Sequence, residues 1–84
     1  MAEITIYTKA YCPYCHAAKA LLKRKGAAFT EIDVSNPVDQ RAMSVKAGGA
    51  STVPQIFIGL THVGGCDDLH ALDAKGGLDP LLKG

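Results

Sequence analysis

Two cysteines, Cys12 and Cys15, are separated by two residues at the point where the sequence changes from strand periodicity to helix periodicity. Residues 3–8 alternate apolar and polar side chains, which predicts a strand, whereas residues 17–25 have the composition of a helix. We therefore expect Cys12 at the N-cap of the helix and Pro13 at its first position, where a fixed φ is favourable and a missing N–H costs nothing. The cysteine pair is predicted to lie where a strand passes into a helix.

The predicted helix N-terminus gives the Cys12 sulfur a distinct chemical environment. The backbone N–H groups of Tyr14 and Cys15 have no helical partner, and with the positive end of the helix dipole they favour a thiolate over a thiol. Cys12 is therefore expected to be the nucleophile. Cys15 lies about one turn further along the helix on nearly the same side, so the two sulfurs can form a small, reversible disulfide.

The length, the cysteine count and the net charge limit the classes of protein to consider. A length of 84 residues predicts one domain spanning residues 1–84. Three cysteines cannot all pair within one chain, so a structural disulfide framework is not expected. A net charge of +1 favours neither nucleic acid nor a membrane as a partner, and the N-terminus lacks the pattern of a signal peptide. We expect a cytoplasmic monomer.

The first two helices have apolar positions at helical spacing. In the helix after the cysteines, the positions expected to form the apolar stripe are Tyr14, Ala17, Ala18, Leu21 and Leu22. Tyr14 can be either the start of this core stripe or an exposed wall of a cleft. Residues 28–34 predict a second strand, and Asn36 followed by a proline predicts the start of a second helix. Its apolar positions expected to face inward are Val38, Ala42 and Val45, with Met43 as core filler.

The C-terminal part predicts a hairpin followed by a helix. Residues 55–58 and 61–63 are expected to be strands joined by a turn at Gly59. Asp67 and Asp68 are expected to cap a third helix, and three leucines near the C-terminus are expected to cover the sheet: Leu78, Leu81 and Leu82. The resulting order predicts an α/β fold with a four-stranded mixed sheet and helices on both faces. A Cys-x-x-Cys after the first strand of such a pattern is typical of a thioredoxin-like fold.

Three segments of the sequence resemble the dithiol glutaredoxins of bacteria. They are Tyr-Thr-Lys-Ala-Tyr-Cys-Pro-Tyr-Cys-His at 7–16, Thr-Val-Pro-Gln-Ile-Phe-Ile at 52–58 and His-Val-Gly-Gly-Cys-Asp-Asp-Leu at 62–69. The resemblance covers essentially the whole chain. It implies a glutathione-dependent thiol-disulfide oxidoreductase with glutathione as co-substrate and with no metal, acting on disulfide-bearing or glutathionylated proteins.

The same resemblance implies a glutathione groove beside the thiols. Lys9 would hold the glycine carboxylate, the main chain of Val53 would pair with the cysteinyl unit, and the γ-glutamyl end would lie at the helix start near Asp67. A cis peptide bond is implied before Pro54. The complete expected set is Lys9, Tyr14, Thr52, Val53, Pro54, Gly65, Cys66 and Asp67, with Pro13 as part of the motif.

One position departs from the family pattern. Many glutaredoxins have a basic residue just before Thr-Val-Pro, where this chain has the uncharged Ala50 and Ser51. The glycine carboxylate would then depend more heavily on Lys9, or on Arg41.

The resemblance implies a mechanism in which Cys12 attacks the glutathione sulfur of a protein-glutathione mixed disulfide. A second glutathione regenerates Cys12. With a protein disulfide, Cys12 attacks first and Cys15 resolves the intermediate by closing the bond between positions 12 and 15.

Other functions are compatible with parts of the sequence. One alternative is a glutaredoxin-like thioredoxin that thioredoxin reductase reduces. Residues 12–16 also match the c-type haem string Cys-x-x-Cys-His, in which His16 would be an axial ligand, with Met43, His62 or His70 as the second. A zinc site would need Cys66 beside the pair, and a bridging iron-sulfur cluster is disfavoured by the proline in the motif. Cys66 itself is either a small apolar residue at a tight helix start or a third reactive thiol.

Overall fold

The structure, a computed structural model, describes residues 2–83. Its elements, in chain order, are β1 (Ile4–Thr8), α1 (Pro13–Arg24), β2 (Thr30–Asp33), α2 (Pro37–Lys46), β3 (Gln55–Ile58), β4 (Thr61–Gly64), α3 (Cys66–Ala74) and α4 (Leu78–Lys83). Every predicted strand and helix is present, and the predicted final turn forms the short helix α4.

The four strands form one mixed sheet in the order β2-β1-β3-β4. β1 runs parallel to β2 and antiparallel to β3, and β3 and β4 form the predicted hairpin. The parallel pair requires a crossover, which α1 supplies. The C-terminal end of β1, where α1 begins, therefore lies beside the start of β3, with Tyr7 opposite Gln55.

One face of the sheet carries the main hydrophobic core. Ile4 and Ile6 of β1 and Ile56 and Ile58 of β3 are buried on this face, because alternate residues of a strand point the same way. Helices α1 and α3 pack against each other over these side chains. The helical and C-terminal residues of the same cluster include Ala18, Leu21, Leu22, Leu69, Leu78 and Leu82. The prediction that the C-terminal leucines cover the sheet is thus confirmed.

Helix α2 lies next to the opposite face of the sheet, where Lys46 contacts two aromatic rings. The rings of Tyr7 and Phe57 are in edge-to-face contact with centroids 5.8 Å apart, and the Lys46 ammonium group lies 4.9 Å from the Phe57 centroid. Met43 is fully buried, in agreement with its prediction as core filler. Helices therefore lie on both faces, and the predicted thioredoxin-like architecture is confirmed.

The predicted inward face of α2 is wrong. Val38 and Val45 are 71% and 78% exposed, and Ala42 is exposed as well. The residues that face the interior are Met43 and Ala47, which stand four positions apart and so share one side of the helix. Compared with the prediction, the helix is rotated so that the long Met43 side chain is buried, which removes more apolar surface from water than burial of a shorter valine would.

The apolar stripe of α1 is also shifted from its predicted position. Tyr14 and Ala17 are exposed, whereas Cys15 occupies the inward position one turn before Ala18 and two turns before Leu22. Of the two alternatives for Tyr14, the exposed wall is the one that the structure shows. The shift buries one thiol of the pair.

Candidate active site

Cys12 occupies the N-cap of α1, and Pro13 is the first residue of the helix, as predicted. The backbone of Cys12 is extended, with φ −106° and ψ 103°, and the backbone N–H of Cys15 donates a hydrogen bond of 3.1 Å to Cys12 Sγ. The N–H of Tyr14 was also expected to face the sulfur. Among the described residues it makes no such bond. The Cys12 sulfur thus has one backbone donor at the positive end of a helix.

The two cysteines of the pair differ sharply in environment. Cys12 is partly exposed, whereas Cys15 is only 1% exposed. Burial, and secondly a hydrogen bond with the Cys12 side chain, raise the pKa of Cys15 from 9.0 to about 11. One sulfur is therefore accessible and the other is protected and protonated at neutral pH.

The segment before β3 lies beside the Cys12 sulfur. Its Val53-Pro54 peptide bond is cis, as the resemblance implied. The Cys12 thiol lies 3.9 Å from the carbonyl oxygen of Val53, which is a long contact even for sulfur. The main chain at Val53 is therefore next to the reactive atom.

A polar pair that the sequence analysis did not identify holds this segment. The buried Gln55 side chain donates from Nε2 to the Thr52 carbonyl oxygen at 3.1 Å and to Thr52 Oγ1 at 3.2 Å. Its Oε1 lies 2.6 Å from His62 Nε2, and because the Gln55 nitrogen already donates to Thr52, this ring nitrogen is the donor. The available sequence signal was a glutamine at the start of an otherwise apolar strand.

A groove of about 610 Å³ opens beside this segment, on one side of the cysteine pair. Seven of the expected glutathione-binding residues line it: Tyr14, Thr52, Val53, Pro54, Gly65, Cys66 and Asp67. The lining residues that were not expected are Ala50, Gln55, His62, Gly64 and Asp68. The groove is thus built from three separate parts of the sequence, which are the first turn of α1, the cis-proline segment and the start of α3.

Lys9 is not among the residues that line the groove, and neither is Arg41. The pKa of Asp33 is lowered mainly by hydrogen bonds from Ser35 and, to a smaller extent, by the charge of Lys9. The positive charge of Lys9 therefore acts on Asp33, the last residue of β2. The charged side chains that line the groove are the acidic Asp67 and Asp68.

The start of α3 is capped differently from the prediction. Gly65 is the N-cap, and Asp68, the third residue of the helix, accepts a hydrogen bond of 3.0 Å from the Gly65 N–H. Asp67 and Asp68 therefore lie within the first turn rather than before it, where their negative charge favours the helix dipole. Gly64 has φ +113°, and a Cβ at this position would collide with the Asp68 carboxylate. Glycine is required for this close approach.

Cys66 is the first residue of α3 and is buried. Burial, followed by the charges of Asp67 and Cys12, raises the pKa of the Cys66 thiol. The ring nitrogen Nδ1 of His70 lies 2.9 Å from the Cys66 carbonyl oxygen and 3.4 Å from its Sγ. The packing agrees with the small apolar alternative for this residue.

Two features of the described residues bear on the other functional classes. Residues 2–83 bring together no group of three or more His, Cys, Asp or Glu side chains that could hold a metal ion. Within the same residues, every helix is too short or too polar to span a membrane.

Comparisons with known proteins agree on one family. Residues 4–63 match the family model described as Glutaredoxin. The chain is 59% identical to Glutaredoxin 3 of Escherichia coli over 83 residues, which cover 99% of this chain and all of that protein. It is 56% identical to a glutaredoxin of Pseudomonas aeruginosa, with 99% of each chain covered.

Two solved structures show the same fold. The solution structure of a glutaredoxin from Brucella melitensis superposes with a TM-score of 0.87 at 57% identity, covering 99% of this chain and 90% of the other. The crystal structure of a buckwheat glutaredoxin-glutathione complex gives a TM-score of 0.87 at 34% identity, covering 98% of this chain and 77% of the other.

Proposed function

The chain belongs to the glutaredoxin family of glutathione-dependent thiol-disulfide oxidoreductases, and on that premise we propose that Cys12 is its nucleophile and Cys15 its resolving thiol. The observation that carries this assignment is the difference between the two sulfurs. Cys12 is partly exposed and accepts a backbone hydrogen bond at a helix N-terminus. Cys15 is buried, and its pKa is raised to about 11. Because the thiolate is the reactive form, the accessible sulfur attacks first.

In the first reaction, Cys12 Sγ attacks the glutathione sulfur of a mixed disulfide between glutathione and a protein. A bond forms between Cys12 and glutathione, the bond between glutathione and the protein breaks, and the protein sulfur leaves as a thiolate that takes a proton from water. A second glutathione thiolate then attacks the glutathione bound to Cys12. Oxidised glutathione is released and Cys12 is restored.

A second reaction uses both cysteines. Cys12 attacks a disulfide within a protein and forms a mixed disulfide with it. Cys15 then loses its proton and attacks Cys12 Sγ, which closes the bond between positions 12 and 15 and releases the reduced protein. Glutathione reopens this bond in two exchange steps. Because the pKa of Cys15 is raised to about 11, this thiol must lose its proton within the intermediate before it can attack.

The groove is the proposed glutathione site. The main chain of Val53, which lies beside Cys12, would pair with the cysteinyl unit, and Tyr14 would form one wall of the site. At the start of α3, the first-turn N–H groups and the Asp67 carboxylate would receive the carboxylate and the ammonium group of the γ-glutamyl end. The solved complex of the buckwheat relative with glutathione supports this assignment.

The glycine carboxylate of glutathione has a less obvious partner. We assign it to Lys9, which precedes Cys12 by three residues, although its side chain lies outside the groove lining. The physiological substrates in this proposal are glutathionylated and disulfide-bearing proteins, and the protein acts as a monomer in the cytoplasm.

Single cysteine substitutions test these roles. Cys12→Ser should abolish both reactions, whereas Cys15→Ser should keep the release of glutathione from a glutathionylated protein and lose the reduction of a protein disulfide. Val45→Ser, which changes an exposed residue of α2 outside the groove, is the control and should keep both. Equal loss of glutathione release in the Cys12 and Cys15 variants would contradict the assignment.

A further inference from the structure

Tyr11, the residue immediately before the nucleophile, has an unusual conformation. Its φ is +58°, and it is the one non-glycine residue of the described chain with a positive φ. A large side chain is uncommon in this left-handed region, because its Cβ approaches the neighbouring carbonyl oxygen. Such conformations cluster at functional sites, where the surrounding structure maintains them.

The Tyr11 side chain does not stabilise the fold that holds it. It is 98% exposed and belongs neither to the hydrophobic core nor to the lining of the groove. Tyr14, which follows the nucleophile, lines the groove instead. The two tyrosines therefore stand on either side of Cys12 in the chain, one within the glutathione site and one outside it.

The reaction itself brings a polypeptide to this place. In a glutathionylated protein, the glutathione half occupies the groove while its sulfur is bonded to the cysteine of the protein. When Cys12 attacks the glutathione sulfur, the leaving protein must lie within bonding distance of that sulfur and outside the groove walls. An exposed aromatic ring adjoining Cys12 is placed to contact it.

We propose that Tyr11 is a specificity-determining residue that packs against the polypeptide of a glutathionylated protein and does not contact glutathione. This inference rests on the function proposed above. A tyrosine suits the role because its ring offers a large contact area with few rotatable bonds, and its hydroxyl can remain hydrated at the edge of the contact.

Two substitutions separate the ring from the backbone conformation. Tyr11→Asn removes the ring but keeps a residue that tolerates a positive φ, and Tyr11→Phe keeps the ring and removes the hydroxyl. Leu60→Asn is the matched control, because Leu60 is a fully exposed apolar residue in the turn between β3 and β4, at the opposite end of the sheet from Cys12. The melting temperature of each variant reports whether the fold is retained.

The assay compares two substrates that share the glutathione half. One is glutathionylated serum albumin, and the other is the mixed disulfide of glutathione and 2-mercaptoethanol, whose leaving group has no polypeptide. For Tyr11→Asn we expect kcat/KM for albumin to fall by about five- to tenfold, as for the loss of one important interface residue, with kcat/KM for the small substrate unchanged. Tyr11→Phe should restore most of the activity toward albumin, and Leu60→Asn should match the wild type with both substrates.

Each other outcome has a definite meaning. An equal loss with both substrates would place the ring in the chemical step or the glutathione site, and an unchanged rate with both would leave it without a role in substrate binding. Either result overturns the inference while the proposed function stands. Wild-type protein that releases glutathione from neither substrate would overturn the proposed function as well.

Discussion

Gln55 Oε1 accepts a hydrogen bond of 2.6 Å from His62 Nε2, and this pair joins the first residue of β3 to β4 at the base of the groove. The other end of the Gln55 amide donates twice to Thr52. A single buried side chain therefore connects the hairpin to the segment that is proposed to bind the cysteinyl unit of glutathione.

Replacing this amide should weaken glutathione binding more than it slows the chemical step. In Gln55→Leu, Thr52 loses both hydrogen bonds from the amide, His62 loses its acceptor, and the segment is free to move. The loss of even one of these bonds costs about 1 kcal/mol, so KM should rise by at least roughly fivefold. Steady-state kinetics with the mixed disulfide of glutathione and 2-mercaptoethanol would separate KM from kcat. A lower kcat with an unchanged KM would mean that Gln55 acts on the sulfur chemistry instead.

The raised pKa of Cys15 predicts a loss of stability at alkaline pH. Because burial raises this pKa from 9.0 to about 11, the unfolded chain releases the proton at a lower pH than the folded protein does. The contribution of Cys15 to stability is complete below about pH 9 and is lost as the pH rises to about 11. Urea unfolding of the reduced protein from pH 8 to pH 11 measures this loss of stability. In Cys15→Ala this part of the decline should be absent, and an identical pH profile for the two proteins would refute the effect.

The observed rotation of α2 predicts opposite outcomes for neighbouring residues. Met43→Ala should lower the free energy of unfolding by about 2 to 5 kcal/mol, since it removes a fully buried side chain. Val45→Ser, two positions further on, should change it by less than about 0.5 kcal/mol, because Val45 is exposed. Chemical denaturation gives both values, and a large effect of Val45→Ser would show that the helix is rotated toward the face expected from the sequence.

The contact between Gly64 and Asp68 predicts an effect on both stability and binding. Gly64→Ala places a side chain at φ +113° and displaces the Asp68 carboxylate that caps α3, whereas Gly49→Ala introduces comparable backbone strain at φ +102° with no atom within 4 Å. Each substitution should cost about 1 to 3 kcal/mol of stability. Only Gly64→Ala should also raise KM for glutathione, because it alters the proposed γ-glutamyl site. Equal KM values for the two variants would show that the cap of α3 does not affect glutathione binding.

Much of the fold was predictable because its signals are local. The alternation of Ile4 and Ile6 gave β1, and the turn at Gly59 gave the hairpin. The position of Cys12 as N-cap followed from the proline after it. The groove was predictable only through the resemblance, which named seven of its lining residues but not the Gln55 and His62 pair that supports it.

The sequence by itself determined the order of the strands and helices and which sulfur stands at a helix N-terminus, because these features depend on residues within a few positions of one another. Only the tertiary structure decided which face of α2 is buried, that Cys15 is enclosed, and that Asp68 caps α3 from inside its first turn. The physical reason is that burial and side-chain hydrogen bonds depend on surfaces brought together from distant parts of the chain. Local periodicity limits these contacts but does not select among them.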